Sequence, residues 1–177
     1  NGTYPPGSIF KMVVAVELLE RNLIDENWQV LCNGEYEFFE STHRCTGSHG
    51  YVNLNDAITM SCNIFFYEAV QKIRLDNLAK RSKDLFHGLP TGIDLPNEMK
   101  GRVPDRAYMN KLYGTDGWST GALLNISIGQ GEVLVTPIQM IAYVNTIATS
   151  GNYNPIYIVK NEGGSAISAT ISQSTWK

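Results

Sequence analysis

The sequence predicts a mainly α-helical domain, and three observations lead to that prediction. The apolar run 12–16 follows the segment from Tyr4 to Gly7, whose two prolines and glycine exclude a helix before it. Thr136 followed by Pro137 is a typical helix start, with a hydroxyl at the N-cap and proline at the first helical position. The chain has 177 residues, of which 43% are hydrophobic, so it can bury the core of one domain.

The other elements follow from the positions of turn and helix-breaking residues. We expect the first helix to run from Ser8 to about Arg21 and to end at Asn22. The remaining predictions are loops and a short hairpin in 25–52, helices near 54–60, 64–73, 75–86 and 137–149, turns in 90–118, a strand at 156–159, and a loop or poorly ordered tail over 161–177. The helix at 75–86 is expected to be closed by Gly88 and Pro90.

Charge and hydropathy argue against two kinds of partner. The net charge is -3 and no cluster of basic residues occurs, so nucleic acid is not an expected partner. The longest purely apolar run, 12–16, is too short to span a bilayer, and no signal-peptide pattern opens the chain. We therefore expect any membrane attachment to lie in a segment outside this chain.

Ser8 and Lys11 form the first candidate catalytic pair. On a helix that starts near Ser8 they lie one turn apart on the same face. A hydroxyl is a weak nucleophile unless a base takes its proton, and a lysine amine can do so where burial disfavours its charged form. The alternative is a helix cap with a surface lysine. The same spacing at Ser174 and Lys177 has no apolar run behind it, and we interpret it as chance.

A second motif stands about fifty residues later, where Ser61, Cys62 and Asn63 lie between two predicted helices. In this order and separation, the two motifs resemble the Ser-x-x-Lys and Ser-x-Asn motifs of the penicillin-binding proteins. Further segments resemble the class B enzymes of the rod-elongation type, and they lie at 6–8, 48–50, 65–67, 91–96, 129–131 and 136–139. The resemblance implies the helical part of an α+β fold shared with the serine β-lactamases, in which helices pack around an antiparallel sheet.

The resemblance implies a peptidoglycan D,D-transpeptidase that forms a serine acyl-enzyme. Ser8 would attack the carbonyl between the terminal D-alanines of a stem peptide, with its own N–H in the oxyanion hole, and Lys11 would take its proton. Ser61 would relay a proton to the leaving amine, and Asn63 would hold Lys11 and the substrate amide. β-Lactams would acylate the same serine. The parent protein would be anchored in the inner membrane, facing the periplasm, together with cell-elongation proteins.

The third motif of that family, Lys-Thr-Gly or Lys-Ser-Gly, does not occur in the sequence. We therefore expect residues 1–160 to be a partial transpeptidase domain, and the chain by itself to be acylated poorly. Two other classes stay open. One is a β-lactamase or penicillin-sensing domain, which shares the Ser-x-x-Lys chemistry, and the other is a non-catalytic scaffold stabilised by zinc.

The three cysteines and one histidine form a second group of candidate functional residues, a possible metal site. Their pattern is Cys32-x12-Cys45-x3-His49-x12-Cys62, and three thiolates with one imidazole are a complete tetrahedral set for a structural Zn²⁺. An odd number of cysteines cannot be fully consumed by disulfides within the chain. The resemblance adds that some relatives carry metal ligands at these places. A Cys32 to Cys45 disulfide, as expected outside the cytoplasm, and free buried thiols are the alternatives.

Several other residues are predicted to have structural roles. Residues 65–67 are expected to pack behind the loop of the second motif. His43 and His87 belong to no recognisable pattern and are interpreted as surface or loop histidines. Asp94 is expected in a turn, and the glycines of 129–131 lack the residues that would complete a phosphate-binding loop.

Overall fold

The computed structural model describes residues 2–115, 117–159 and 166–176. A 3-10 turn, Gly7–Phe10, leads into the first of the helices, which are α1 (Lys11–Glu20), α2 (Leu54–Thr59), α3 (Asn63–Val70), α4 (Leu75–Asp84), α5 (Arg106–Tyr113), α6 (Thr120–Ser127) and α7 (Pro137–Ala148). The predicted mainly helical class is confirmed. None of the helices in these ranges is long and apolar enough to cross a membrane.

Short antiparallel strand pairs complete the fold. The strands are β1 (Val30–Cys32), β2 (Glu35–Phe38), β3 (Ser41–Arg44), β4 (Gly50–Val52), β5 (Asn152–Tyr153) and β6 (Ile167–Ser168). β1 pairs with β4, β2 forms a hairpin with β3, and β5 pairs with β6. The hairpin in 25–52 agrees with the prediction, whereas the β1 to β4 pairing was not foreseen because its two strands are separated in sequence.

Helix α3 lies at the centre of the core and packs against α1, α6 and β1. Phe65 and Phe66 are fully buried and Tyr67 nearly so, which confirms the prediction for residues 65–67. Trp28 contacts Phe65 edge to face, with ring centroids 4.9 Å apart. Each buried phenylalanine contributes roughly 2 to 3 kcal/mol to folding. The loop before α3 is therefore fixed to the best-packed part of the molecule.

Five helices in the described ranges end in the same way. Each of these helices is followed by one residue with positive φ, and the N–H of the next residue donates to a carbonyl five residues earlier. The residues with positive φ after α1, α2, α4, α6 and α7 are, in that order, Asn22, Ser61, Phe86, Gly129 and Ser150. This is the Schellman motif, which satisfies carbonyls that a helix end leaves unpaired. The predicted end of the first helix at Asn22 is confirmed. Helix α4 ends before the predicted residue 86 because Phe86 adopts the left-handed conformation.

Two helices and one strand differ from the sequence predictions. Helix α5 lies within 90–118, where only turns were expected; it begins at Asp105, whose carboxylate accepts from Tyr108 N at 2.8 Å. Helix α6 has no predicted counterpart. Residues 156–159 are not a strand, because the N–H groups of Ile158 and Val159 donate to the Asp94 carboxylate at 2.7 and 2.9 Å instead of to a neighbouring strand.

His87 lies in the turn after α4, as expected of a loop histidine, but it is fully buried, so its interpretation as an ordinary surface residue was wrong. Its ring lies 4.5 Å from the ring of Tyr143 and 5.6 Å from that of Phe10, measured between centroids. Neither ring nitrogen has a hydrogen-bond partner among the residues that the structure describes. Burial lowers the pKa of His87 to about 3. The contacts come from α7 and from the turn before α1, which are remote in sequence.

The described part of the tail, 166–176, packs against the body of the domain. Strand β6 pairs with β5, and the Glu20 carboxylate accepts hydrogen bonds from Ser172 and Thr175. Residues 160–165, which include the whole of the loop predicted at 161–165, lie outside the described ranges, as does Lys177 of the second Ser-x-x-Lys pair.

Candidate active site

The Gly7–Phe10 turn presents Ser8 to solvent while burying Phe10 completely. Gly7 has a φ of 64°, a conformation that glycine adopts at little cost. Its N–H donates to Gly129 O at 2.9 Å. A methyl group on Gly129 would lie 2.2 Å from Gly7 O, so only glycine allows this approach. The predicted helix start is therefore a 3-10 turn supported by the segment 129–131.

Lys11 is 2% exposed, which excludes the alternative of a surface lysine. Its Nζ donates to Ser61 O at 2.6 Å, to Ser61 Oγ at 2.8 Å and to Asn63 Oδ1 at 2.7 Å. Burial lowers the pKa of Lys11 to about 8, although nearby cysteine thiolates act in the opposite direction. The structure thus brings Lys11 of the first motif together with both polar residues of the second.

Backbone geometry aims the second motif at Lys11. Ser61 has a φ of 53° in the Schellman motif that ends α2, where Ser61 N donates to Ile58 O and Cys62 N to Ala57 O. Such a conformation costs a residue with a side chain roughly 1 kcal/mol or more, and strain of this kind is common at functional sites. Asn63 begins α3, and its Nδ2 donates to Arg44 O at 3.2 Å, which fixes the amide so that Oδ1 faces the lysine.

Ser8 lies three residues before Lys11, the first residue of α1, but no hydrogen bond joins Ser8 Oγ to Lys11 Nζ among the contacts of the described residues. The three protons of the Lys11 ammonium are instead shared among the acceptors of Ser61 and Asn63. A neutral amine has two protons and a lone pair, and the Ser61 hydroxyl can donate as well as accept. Catalytic hydrogen bonds often tighten only when substrate binds, so this geometry is compatible with a base for Ser8.

The predicted metal ligands also come together. The Sγ atoms of Cys32, Cys45 and Cys62 and a ring nitrogen of His49 all lie within 4.8 Å of one another. His49 Nδ1 is 3.4 Å from Cys32 Sγ and 3.6 Å from Cys45 Sγ, and the sulfurs of Cys45 and Cys62 are 3.9 Å apart. Tetrahedral Zn²⁺ would set about 3.6 Å between nitrogen and sulfur and about 3.8 Å between two sulfurs. The cluster therefore has the size of a zinc site.

The chemistry of the thiols also suits a cation. Cys32, Cys45 and Cys62 are free thiols in the structure, so the alternative of a Cys32 to Cys45 disulfide is not observed. Burial would raise the pKa of Cys45, but N–H groups of Ile64, Asn63 and Gly47 stabilise its thiolate and lower the pKa to about 6. Burial raises the pKa of Cys62 to about 12, so holding Cys62 as a thiolate beside the Cys45 thiolate requires a positive charge.

Comparisons with known proteins agree with the motifs. The family profile of the penicillin binding protein transpeptidase domain matches residues 1–177. The chain belongs to this family. It is 32% identical over 172 residues to the peptidoglycan D,D-transpeptidase MrdA of Haemophilus influenzae, a match that covers 94% of this chain and 26% of that relative. The resemblance inferred from the sequence is confirmed, and the chain spans about a quarter of the length of this curated relative.

Solved structures show the same fold. The penicillin-binding protein PBP2 of Helicobacter pylori superposes with a TM-score of 0.91 at 32% identity, covering 99% of this chain and 33% of that one. A complex between PBP2 and MreC from the same organism gives the same TM-score, identity and coverage. The predicted fold, the helical part of the penicillin-binding transpeptidase fold, is confirmed.

Two residues near Ser8 were not identified as functional candidates from the sequence. Gly129 contacts the turn through backbone atoms, and Tyr143 donates its hydroxyl proton to Ile9 O at 3.1 Å. A glycine that follows a helix signals a left-handed helix end, which is how Gly129 could have been noticed. Tyr143 gave no such signal, because its acceptor is a backbone carbonyl 134 residues earlier.

Proposed function

We propose that the protein containing this chain is a serine-type peptidoglycan D,D-transpeptidase. The observation that carries the proposal is the buried Lys11 amine, which is hydrogen-bonded to both Ser61 and Asn63 and lies at the end of the turn that exposes Ser8. A buried lysine with a lowered pKa can accept a proton near neutral pH, which is what an activated serine requires.

The reaction proceeds in two transfers. Ser8 Oγ attacks the carbonyl between the terminal D-alanines of a stem peptide while its proton passes to the Lys11 amine. As the amide bond breaks, the proton reaches the nitrogen of the leaving D-alanine through the Ser61 hydroxyl, which leaves an ester on Ser8. The amine of a second stem peptide then attacks this ester, its proton returns through Lys11 to Ser8 Oγ, and the cross-link forms.

The backbone supplies one electrostatic contribution in this scheme. The N–H of Ser8 lies in the first turn of a helical segment, where no intrahelical acceptor is available. It is therefore suited to donate to the oxyanion that develops on the attacked carbonyl, and loss of such a donor typically slows the reaction by about 100- to 1,000-fold. Asn63 combines its hydrogen bond to Lys11 with a second role, donating to the substrate amide.

The zinc site is a structural part of the proposal. Cys32, Cys45, His49 and Cys62 would hold Zn²⁺ with four protein ligands, which leaves no position for a reacting water. Bound there, the ion would link the segment 25–52 to the loop of the second motif, because Cys62 stands between Ser61 and Asn63. The catalytic steps themselves use only groups of the protein and its substrates.

We extend the proposal to the setting of the protein. Stem peptides and β-lactams would be its ligands, and the catalytic face would lie outside the cytoplasm, on the periplasmic side of an inner membrane to which another segment anchors the protein. The complex of the Helicobacter pylori PBP2 with MreC supports a cell-elongation protein as partner. Nucleic acid is not proposed as a ligand, in line with the net charge of -3.

An assay with two substrates tests the proposed reaction. The full-length protein is incubated with a stem pentapeptide and an acceptor amine, and in parallel with a chromogenic β-lactam. A transpeptidase releases D-alanine, forms the cross-linked product and is trapped by the β-lactam, which stays attached to the serine instead of being turned over. Rapid, repeated hydrolysis of the β-lactam without any cross-linked product would contradict the proposal and favour a β-lactamase.

A further inference from the structure

The turn that carries Ser8 is held by hydrogen bonds on both sides of that residue. Before it, the N–H of Gly7 donates to Gly129 O at 2.9 Å. After it, the carbonyl of Ile9 accepts a hydrogen bond from the hydroxyl of Tyr143 at 3.1 Å. The first bond is between backbone atoms, whereas the second comes from a single side chain on α7. The restraint after Ser8 therefore depends on one phenol hydroxyl.

The surroundings of Tyr143 leave its hydroxyl with little freedom. The residue is fully buried, and Ile9 O is the acceptor that the structure gives to its hydroxyl. An unpaired buried hydroxyl is costly, so the bond to Ile9 O is strongly favoured over an open geometry. The phenol ring also packs against the buried ring of His87, at 4.5 Å between centroids, and that ring in turn contacts Phe10.

His87 makes this arrangement unusual for a hydrophobic core. Its two ring nitrogens lack hydrogen-bond partners within the described ranges, so its burial costs free energy that an apolar side chain would not. Its flat ring fills the space between Phe10, the last residue of the turn, and Tyr143. The three rings form a contiguous cluster of tilted contacts that joins α7 to the buried side of the turn, and Ser8 lies on the exposed side.

We propose that Tyr143 is a positioning residue for Ser8, and that its hydroxyl, through the carbonyl of Ile9, sets the position of the nucleophile and of its backbone N–H. This inference rests on the proposed role of Ser8. Tyr143 does not touch the substrate or the reacting atoms. Displacement of a reacting group by about 1 Å can cost roughly 100-fold in rate, so a hydrogen bond that restrains the turn has a measurable effect.

Tyr143→Phe tests the inference, because it removes only the hydroxyl. In the full-length protein, acylation by penicillin is followed at increasing concentrations to separate the acylation rate constant from the dissociation constant of the initial complex. We expect the rate constant to fall about tenfold, as for the loss of about 1.4 kcal/mol, with the dissociation constant unchanged. Tyr143→4-aminophenylalanine, which keeps a donor, should recover the rate, whereas 4-methylphenylalanine, which fills the same space without a donor, should not.

Tyr153→Phe is the matched control. Tyr153 is also fully buried, its hydroxyl also donates to a backbone carbonyl, that of Thr91 at 3.3 Å, and its ring also packs against an aromatic ring, that of Phe86. A wild-type rate for both Tyr143→Phe and the 4-methylphenylalanine variant would overturn the inference, as would an equal loss in Tyr153→Phe. Penicillin labelling of a Ser8→Ala protein would instead overturn the proposed function, whatever the tyrosine variants do.

Discussion

Lys11 combines deep burial with three hydrogen-bond acceptors, and these two features have opposite effects on its charge. Burial disfavours the ammonium ion, whereas Ser61 O, Ser61 Oγ and Asn63 Oδ1 stabilise it. Burial has the largest effect on the pKa of Lys11 and lowers it to about 8, against the opposing negative charges of Cys45 and Cys62. The amine is thus held near the pH at which it can both take and return a proton, as the proposed two transfers require.

We predict that Lys11→Ala slows penicillin acylation by about 100- to 10,000-fold, the usual contribution of a general base. Lys11→Arg should be equally impaired, because a guanidinium stays protonated and cannot accept the serine proton. The rate is measured by labelling the full-length protein with a fluorescent penicillin. Lys111→Ala, at an exposed lysine on α5, is the control and should react like wild type. Normal labelling of Lys11→Arg would exclude lysine as the base.

At the scale of elements, two helix ends meet at the site. The end of α6 brings Gly129 against the turn of Ser8, and the end of α2 places Ser61 beside Lys11. Both ends use a left-handed residue, so the same backbone device positions both active-site motifs. Zinc bound by the cysteine and histidine cluster would add a third restraint, because Cys62 belongs to the loop between α2 and α3.

A comparison of Gly129→Ala with Gly131→Ala separates the effect of a close contact with the turn from the effect of backbone strain. Both glycines have a φ of 70°, so each substitution should destabilise the protein by about 1 kcal/mol or more. Only Gly129→Ala places a methyl group against Gly7 O, at 2.2 Å, whereas the nearest atom at Gly131 is 3.5 Å away. We predict that acylation falls roughly 100-fold in Gly129→Ala alone. Equal acylation rates in the two variants, at similar melting temperatures, would disprove this.

Metal removal tests the restraint on the α2–α3 loop. We predict about one equivalent of zinc in protein purified without a metal-affinity column, and a lower melting temperature after chelation, because metal binding is coupled to folding. Cys62→Ser should lower both the melting temperature and the acylation rate of the full-length protein. Elemental analysis, calorimetry and mass spectrometry are the measurements. Less than about a tenth of an equivalent of any metal, or a Cys32 to Cys45 disulfide, would remove the zinc site.

At the scale of the whole molecule, the buried His87 makes stability depend on pH. Its pKa is about 3 in the folded protein, compared with 6.5 for a histidine exposed to solvent. Between these values the unfolded chain binds more protons than the folded one, so stability falls as pH falls. The upper limit is about 1.4 kcal/mol per pH unit.

We predict that His87→Leu reduces this pH dependence. The free energy of unfolding is measured with urea at pH 7, 5 and 4 for the wild type, for His87→Leu and for His43→Gln, whose histidine is only half-buried. The loss between pH 7 and pH 4 should be smaller in His87→Leu than in the other two proteins, and any acid-dependent loss of zinc should be common to all three. The same loss in all three would show that His87 does not cause it.

The sequence was most informative where a motif is local. Ser8, Lys11, Ser61 and Asn63 were proposed as catalytic residues from their spacing and from the family resemblance, and the structure brings Ser61 and Asn63 against Lys11. The four candidate metal ligands were proposed from residue type and the same resemblance, and they lie together. The predictions failed where contacts between remote segments decide the structure: the strand expected at 156–159 is replaced by hydrogen bonds to Asp94, and His87 is buried by residues of α7 and of the turn. Helix α5 was not predicted because its N-cap, Asp105, lies in a segment, 90–118, whose many turn-forming residues led us to expect only turns.

The most direct measurement is the location of the covalent adduct. The full-length protein is incubated with penicillin and digested, and the modified residue is identified by mass spectrometry, alongside Ser8→Ala and Ser174→Ala, whose serines both stand three residues before a lysine. We predict one penicilloyl group, on Ser8, in the wild type and in Ser174→Ala, and none in Ser8→Ala. An adduct on any other residue, or undiminished labelling of Ser8→Ala, would contradict the assignment of Ser8 as the nucleophile.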